Sequence, residues 1–161
     1  MVDIKQIKYV DTMVVFEEIP DEITLAINIS NCPCHCNGCH SKYLWEDIGN
    51  PLTFSALDSL MGKNDGITCV CFMGGDANPY VINSFAAYCR EKHPNIRVGW
   101  YSGRDKIPDE IDLSNFDYIK VGRYDKKLGP LNSRSTNQIM YRVASGGTLI
   151  NITDSFWRKK I

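Results

Sequence analysis

Apolar and polar residues fall into short blocks along this chain. IKQIKYVDTMVVF (4–16) and ITLAINI (23–29) are rich in β-branched residues and predict two strands, with the turn-forming EEIPDE between them. PLTFSALDSLMGK predicts a helix capped by Thr53, with Phe54, Leu57, Leu60 and Met61 on one face and Gly62 at its stop. ITCVCFM (67–73) is apolar without alternation, which predicts a strand covered on both faces, and it runs into Gly74 and Gly75. NPYVINSFAAYCREKHP predicts a second helix broken before Pro94. IRVGWYSG (96–103) and FDYIKVG (116–122) predict two more strands, and TLINITDSF lies towards the end. The recurring strand–helix–strand order predicts an α/β architecture with right-handed crossovers and a mostly parallel sheet. No repeat, low-complexity tract or linker interrupts it, so residues 1–161 are expected to form one domain.

Composition narrows the function classes. The chain has 161 residues, 43% hydrophobic and 23% charged, the proportions of an ordinary globular domain with a real core. A net charge of −1 gives no basic surface for nucleic acid. No apolar run is long enough for a membrane span, and MVDIKQIKYV lacks the apolar core of a signal peptide, so a cytoplasmic location is expected. In that reducing compartment, the seven cysteines point to metal or redox chemistry rather than a disulfide framework.

Four of those cysteines crowd into NCPCHCNGCHS (31–41). Cys32, Cys36 and Cys39 follow an x3-x2 spacing, and Cys34 is an extra thiol inside the first gap. Three thiolates on one short loop can hold three corners of a cubane iron–sulfur cluster and leave the fourth iron open. A closed zinc site is the alternative, although structural zinc usually draws on two ligand pairs separated by a longer loop. His35 and His40 are either ligands or surface residues beside the loop. Cys69 and Cys71, two apart on a strand, share one face and are expected to be small core hydrophobes rather than a second metal pair; Cys89 is expected to pack as well.

The apolar strand ends in CFMGGD. Two glycines there allow a sharp turn or close backbone approach to a ligand, and Asp76 adds an anionic acceptor suited to an ammonium group. Ligands of α/β folds sit at that end of the strands.

CPCHCNGC followed by FMGGD resembles the radical S-adenosylmethionine (SAM) enzymes. The NGCHS segment and the later GPLNSRSTNQ make the chain similar to the activating proteins of anaerobic (class III) ribonucleoside-triphosphate reductase, from about residue 14 to the end. Three positions depart from the broader pattern: Gly38 replaces an aromatic, Asp76 a glutamate and His40 a tyrosine.

The resemblance implies a shortened, incomplete radical SAM (β/α) barrel with its site at the carboxyl ends of the strands. It implies a [4Fe–4S] cluster on Cys32, Cys36 and Cys39, with Cys34 outside the ligand set. SAM would chelate the open iron, with Gly74, Gly75 and Asp76 receiving its ammonium, Gly38, Cys39 and His40 forming the rim, and Ser102 and Gly103 touching its ribose or carboxylate. The alternative for Ser102–Gly103 is a polar turn. Reductive cleavage of SAM would generate a 5′-deoxyadenosyl radical that removes a Cα hydrogen from a glycine of the partner, anaerobic ribonucleoside-triphosphate reductase. The electron donor implied is a flavodoxin or ferredoxin. Arg134, Asn137 and Gln138 are candidates for docking the partner's backbone, or else belong to a solvated loop capping a last helix. Two competing readings stay open: activation of another glycyl radical enzyme such as pyruvate formate-lyase, and a non-catalytic iron–sulfur or zinc module using Cys34 as fourth ligand.

Overall fold

The computed structural model describes residues 6–36 and 38–158. Strands β1 (Lys8–Val15) and β2 (Thr24–Ile29) form a hairpin; β3 (Asn50–Pro51) is a short edge; α1 (Phe54–Gly62) leads to β4 (Cys69–Met73), and α2 (Pro79–Lys92) to β5 (Arg97–Tyr101). The chain continues through β6 (Tyr118–Val121), β7 (Ile139–Ala144) and β8 (Thr148–Asn151). The first two residues of the strand expected over 4–16 lie outside the described residues.

The eight strands form one sheet in the order β3-β1-β2-β4-β5-β6-β7-β8. Its centre, β2-β4-β5-β6, is parallel. Its flanks are antiparallel, so the expected mostly parallel sheet is corrected to a mixed one. Connection length explains two of these pairs, β1–β2 and β7–β8: a parallel neighbour needs a crossover of a dozen or more residues. Ser145–Gly147 is all that joins β7 to β8, and left-handed Gly146 and Gly147 turn the chain straight back. The sheet is not closed: β3 and β8 are its two ends.

Alternation sorts the central strands into two faces. Leu25, Ile27, Ile29, Val70, Phe72, Val98, Trp100, Ile119 and Val121 join Leu57 and Met61 of α1 and Ile82, Phe85 and Ala86 of α2 in the main core. The other face carries a second, smaller cluster. Cys69 and Cys71 are fully buried there among Ile19, Tyr118, Leu131 and Met140, as expected of packing cysteines. Cys89 is likewise buried, in the main core. Gly99 belongs to this second face because Ile19 crosses it: a Cβ there would lie 2.5 Å from Ile19 Cδ1.

Both helices start as their sequences predict. Thr53 Oγ1 accepts the N–H of Ala56 at 3.0 Å, and the Asn78 side chain accepts that of Val81 at 3.4 Å with Pro79 in the first turn. Among the described residues no helix is long and apolar enough to cross a membrane.

At the amino ends of the strands, Glu22 is buried and ties several elements together. Its carboxylate accepts from Thr68 Oγ1 at 2.5 Å, Arg97 Nη1 at 3.0 Å and Tyr118 Oη at 3.0 Å. These three partners, with the Arg97 contact also an ion pair, supply what an ionised carboxylate needs when it leaves water, and no sequence motif marks them as a group.

Candidate metal centre

The carboxyl ends of β2, β4, β5 and β6 each run into one of the loops that the sequence singled out. After β2, Ser30 leads into the cysteine loop, anchored by Asn31 N–H to Glu46 O and Cys32 N–H to Leu44 O, both 2.9 Å. Asn31 and His35 adopt left-handed backbone (φ 59° and 44°), which tightens the loop. Its last turn is closed by Cys39 N–H to Cys36 O at 3.1 Å, with Gly38 at φ 75°. A Cβ on Gly38 would meet Lys126 Cβ at 2.9 Å, so an aromatic residue fits neither the backbone nor the space. That accounts for the departure from the aromatic usual at this position.

None of the seven cysteines is in a disulfide. The Cys39 sulfur accepts the Ser41 N–H at 3.4 Å. Cys34 packs against the neighbouring loops, its sulfur 3.7 Å from Asp76 Oδ2. The sulfurs of Cys32 and Cys34 and a carboxylate oxygen of Asp76 all lie within 4.8 Å of one another.

A hydrogen bond from Cys34 lowers the Cys32 thiol to about 6, overcoming the upward effect of burial, while the same pairing and burial raise Cys34. Cys32 is therefore the thiolate of the pair at neutral pH. In the reduced, metal-free chain, iodoacetamide should label Cys32 with a half-maximal rate near pH 6, read by peptide mass spectrometry. Cys34→Ala should move that midpoint upward, towards the ordinary thiol value of about 8.5.

The imidazoles are placed elsewhere. His35 stacks on Trp45 (4.4 Å, 9° between planes), and His40 Nε2 lies 3.4 Å from Tyr124 Oη. Among the described residues neither joins a group of converging metal donors.

Gly74 and Gly75 form the sharp turn expected after β4, with φ 106° and 88°. Packing demands both: a Cβ on Gly75 would lie 2.4 Å from Ile82 Cδ1, and one on Gly74 would lie 3.1 Å from Ile29 O. The Gly74 N–H donates to Tyr101 O at 3.0 Å, and its carbonyl accepts Trp100 Nε1 at 2.6 Å. Asp76 is 1% exposed, and its carboxylate organises the loop after β5. Ser102 Oγ donates to Oδ1 at 2.5 Å, Gly103 N–H to Oδ2 at 2.9 Å, and Arg104 Nε lies 3.8 Å from Oδ1. Ser102 and Gly103 thus form a polar turn, and Gly103 is the floor under Cys34, its would-be Cβ 2.9 Å from the sulfur.

Sequence reasoning left Lys120 without a role. The structure buries it on the face shared with Tyr118, its Nζ 3.1 Å from Gly122 O and 5.5 Å from the Tyr101 ring. Burial lowers its amine, opposed by Asp76 and the sulfurs of Cys36 and Cys34. A lysine in the apolar run YIKV, at the alternate position facing inward, was the available signal.

GPLNSRSTNQ caps no helix; it leads into β7. Asn137 Nδ2 donates to Arg123 O at 3.0 Å, and Gln138 Nε2 lies 3.4 Å from Gly122 O. Arg134 sits 5.5 Å over Trp157. These three groups steady the loop after β6.

Soft sulfur donors at an x3-x2 spacing on one loop, one of them already a thiolate at neutral pH, fit an iron–sulfur cluster. Residues 23–140 match the family model described as a 4Fe-4S single cluster domain. No curated protein and no solved structure matches the chain.

Proposed function

The chain belongs to the 4Fe-4S single cluster domain family, and on that premise we propose that it is a radical SAM activating enzyme of anaerobic ribonucleoside-triphosphate reductase. One observation carries the reading: the cysteine loop after β2 and Gly74-Gly75-Asp76 after the adjacent parallel β4 meet, with Cys34 and Asp76 3.7 Å apart. Cluster ligation by Cys32, Cys36 and Cys39, and SAM beside the glycine loop, follow from the sequence resemblance. The open, mixed sheet is then a shortened barrel whose unclosed side admits the backbone of a protein substrate.

When bound, the cluster supplies one electron to the sulfonium of SAM. The net change is transfer of one hydrogen atom from a glycine Cα of the reductase to the 5′ carbon of the adenosyl group, with methionine released. The protein's own part is orientation and shelter. Trp100 pins the Gly74 carbonyl and so fixes the glycine loop. Asp76 holds the Ser102–Arg104 turn in place beside the glycine loop, where the ammonium of SAM would be received. Burial disfavours the charged form of Lys120, and the neighbouring Asp76 and sulfurs oppose that, so the amine is placed to respond to the negative charge gathered there. A cytoplasmic flavodoxin or ferredoxin would deliver the electron.

The test is anaerobic reconstitution with iron and sulfide, followed by reductant, SAM and the reductase. A glycyl doublet in the electron paramagnetic resonance spectrum is expected. A cluster-loaded chain that yields no doublet with the reductase but does so with pyruvate formate-lyase redirects the assignment, and one that cleaves no SAM ends it.

A further inference from the structure

Cys34 is the one sulfur of its loop that the x3-x2 pattern leaves over, yet it packs against two neighbouring loops. Gly103 lies so close that a Cβ would sit 2.9 Å from its sulfur and 3.1 Å from its Cβ. Asp76 faces it at 3.7 Å, and the Cys32 sulfur lies close to both. The three donor atoms stand within 4.8 Å of one another, and Asp76 is buried. Donors of one tetrahedral zinc, at bond lengths of about 2.0–2.3 Å, stand roughly 3.5–4 Å apart. A small contraction of the pocket would bring these three to that spacing.

We infer that Cys32, Cys34 and Asp76 form a site for a single thiophilic divalent cation, zinc or ferrous iron. Two thiolates and a carboxylate suit such ions over magnesium or calcium. The carboxylate is oriented from behind by Ser102 Oγ at 2.5 Å and Gly103 N–H at 2.9 Å, the outer partners that an ion site requires. Arg104 Nε, 3.8 Å from Asp76, offsets part of the excess negative charge of three anionic donors around one dication, and the buried Lys120 amine is placed to respond to it. The fourth position is left to water or a small thiol. The site shares Cys32 with the cluster, so ion and cluster are alternatives. That clause, unlike the ion site itself, rests on the cluster reading given above. The ion-bound form would keep Cys32 and Cys34 from oxidising before a cluster is installed.

Cobalt(II) is the probe, because its absorption reports thiolate ligation and zinc displaces it. The reduced, metal-free full chain is expected to bind one equivalent of cobalt, with a sulfur-to-cobalt charge-transfer band that zinc bleaches. Cys34→Ala should weaken binding about tenfold or more, and Asp76→Asn by a lesser factor. Cys36→Ala and Cys39→Ala should leave it unchanged. Circular dichroism of each variant, with Cys34→Ser as a size-conserving companion, separates lost binding from lost fold. Retention of cobalt by folded Cys34→Ala and Cys34→Ser, or a requirement for Cys36 and Cys39, overturns the site. Reconstitution of Cys34→Ala with iron and sulfide addresses the cluster reading separately: loss of the cluster there refutes that ligand set without touching the ion site. Zinc-loaded chain that assembles the cluster as fast as metal-free chain refutes the sharing of Cys32.

Discussion

Alanine at Cys32, Cys36 or Cys39 is expected to leave a chain that retains no stoichiometric cluster, while Cys34→Ala retains it in full. Each thiolate of a three-ligand set holds one iron, so losing one leaves two protein bonds and a second corner exposed to solvent and oxygen. Cys34 differs in position as well as spacing. Its sulfur points into the Asp76–Gly103 floor, against loops from β4 and β5, rather than standing with the turn that ends at Cys39. Iron and acid-labile sulfide, counted per chain after anaerobic reconstitution, give the answer directly. The wild type and Cys34→Ala should each hold close to a full cluster, and the other three should hold little. A closed four-sulfur site would show itself by equal losses in all four variants.

The second large effect is on stability. Trp100→Ala should cost about 3–5 kcal/mol, the range for removing a buried aromatic, against a total of only about 5–15 kcal/mol for a typical domain. Trp100 is fully buried in the middle of the sheet, its ring 6.4 Å from that of Phe116. Trp100→Phe keeps most of the apolar contact but removes the donor to the Gly74 carbonyl, leaving that group unpaired at about 1–3 kcal/mol. Urea unfolding of the metal-free chain followed by circular dichroism measures both. Equal losses in the two variants would show that the Gly74 hydrogen bond, not the ring's packing, is what the fold relies on.

The central strands were legible because their burial is nearly uniform along each segment, and the helices because their buried residues recur at helical spacing. ITCVCFM is apolar without interruption, and β4 is covered on both sides. Thr53 and Pro79 mark their helices locally. The flanks were harder to read. IMYRVA is half-exposed as β7 and follows a long polar stretch, and the SGG turn that reverses it was the only cue to an antiparallel partner. The cysteine spacing stood out because it is local in the chain. The occupation of Asp76 did not, since its partners Ser102, Gly103 and Arg104 arrive from another strand. The same holds for Asn137 and Gln138: their donors face this chain's own carbonyls, which residue type alone does not reveal.

Glu22 gathers Thr68, just before β4, with Arg97 and Tyr118, the first residues of β5 and β6. Strand alignment is thereby decided at the pole farthest from the chemistry. Loops at the other pole can lengthen, shorten or change residues without shifting the foundation beneath them. A scaffold so divided can change what its loops bind by renovating its upper storey alone.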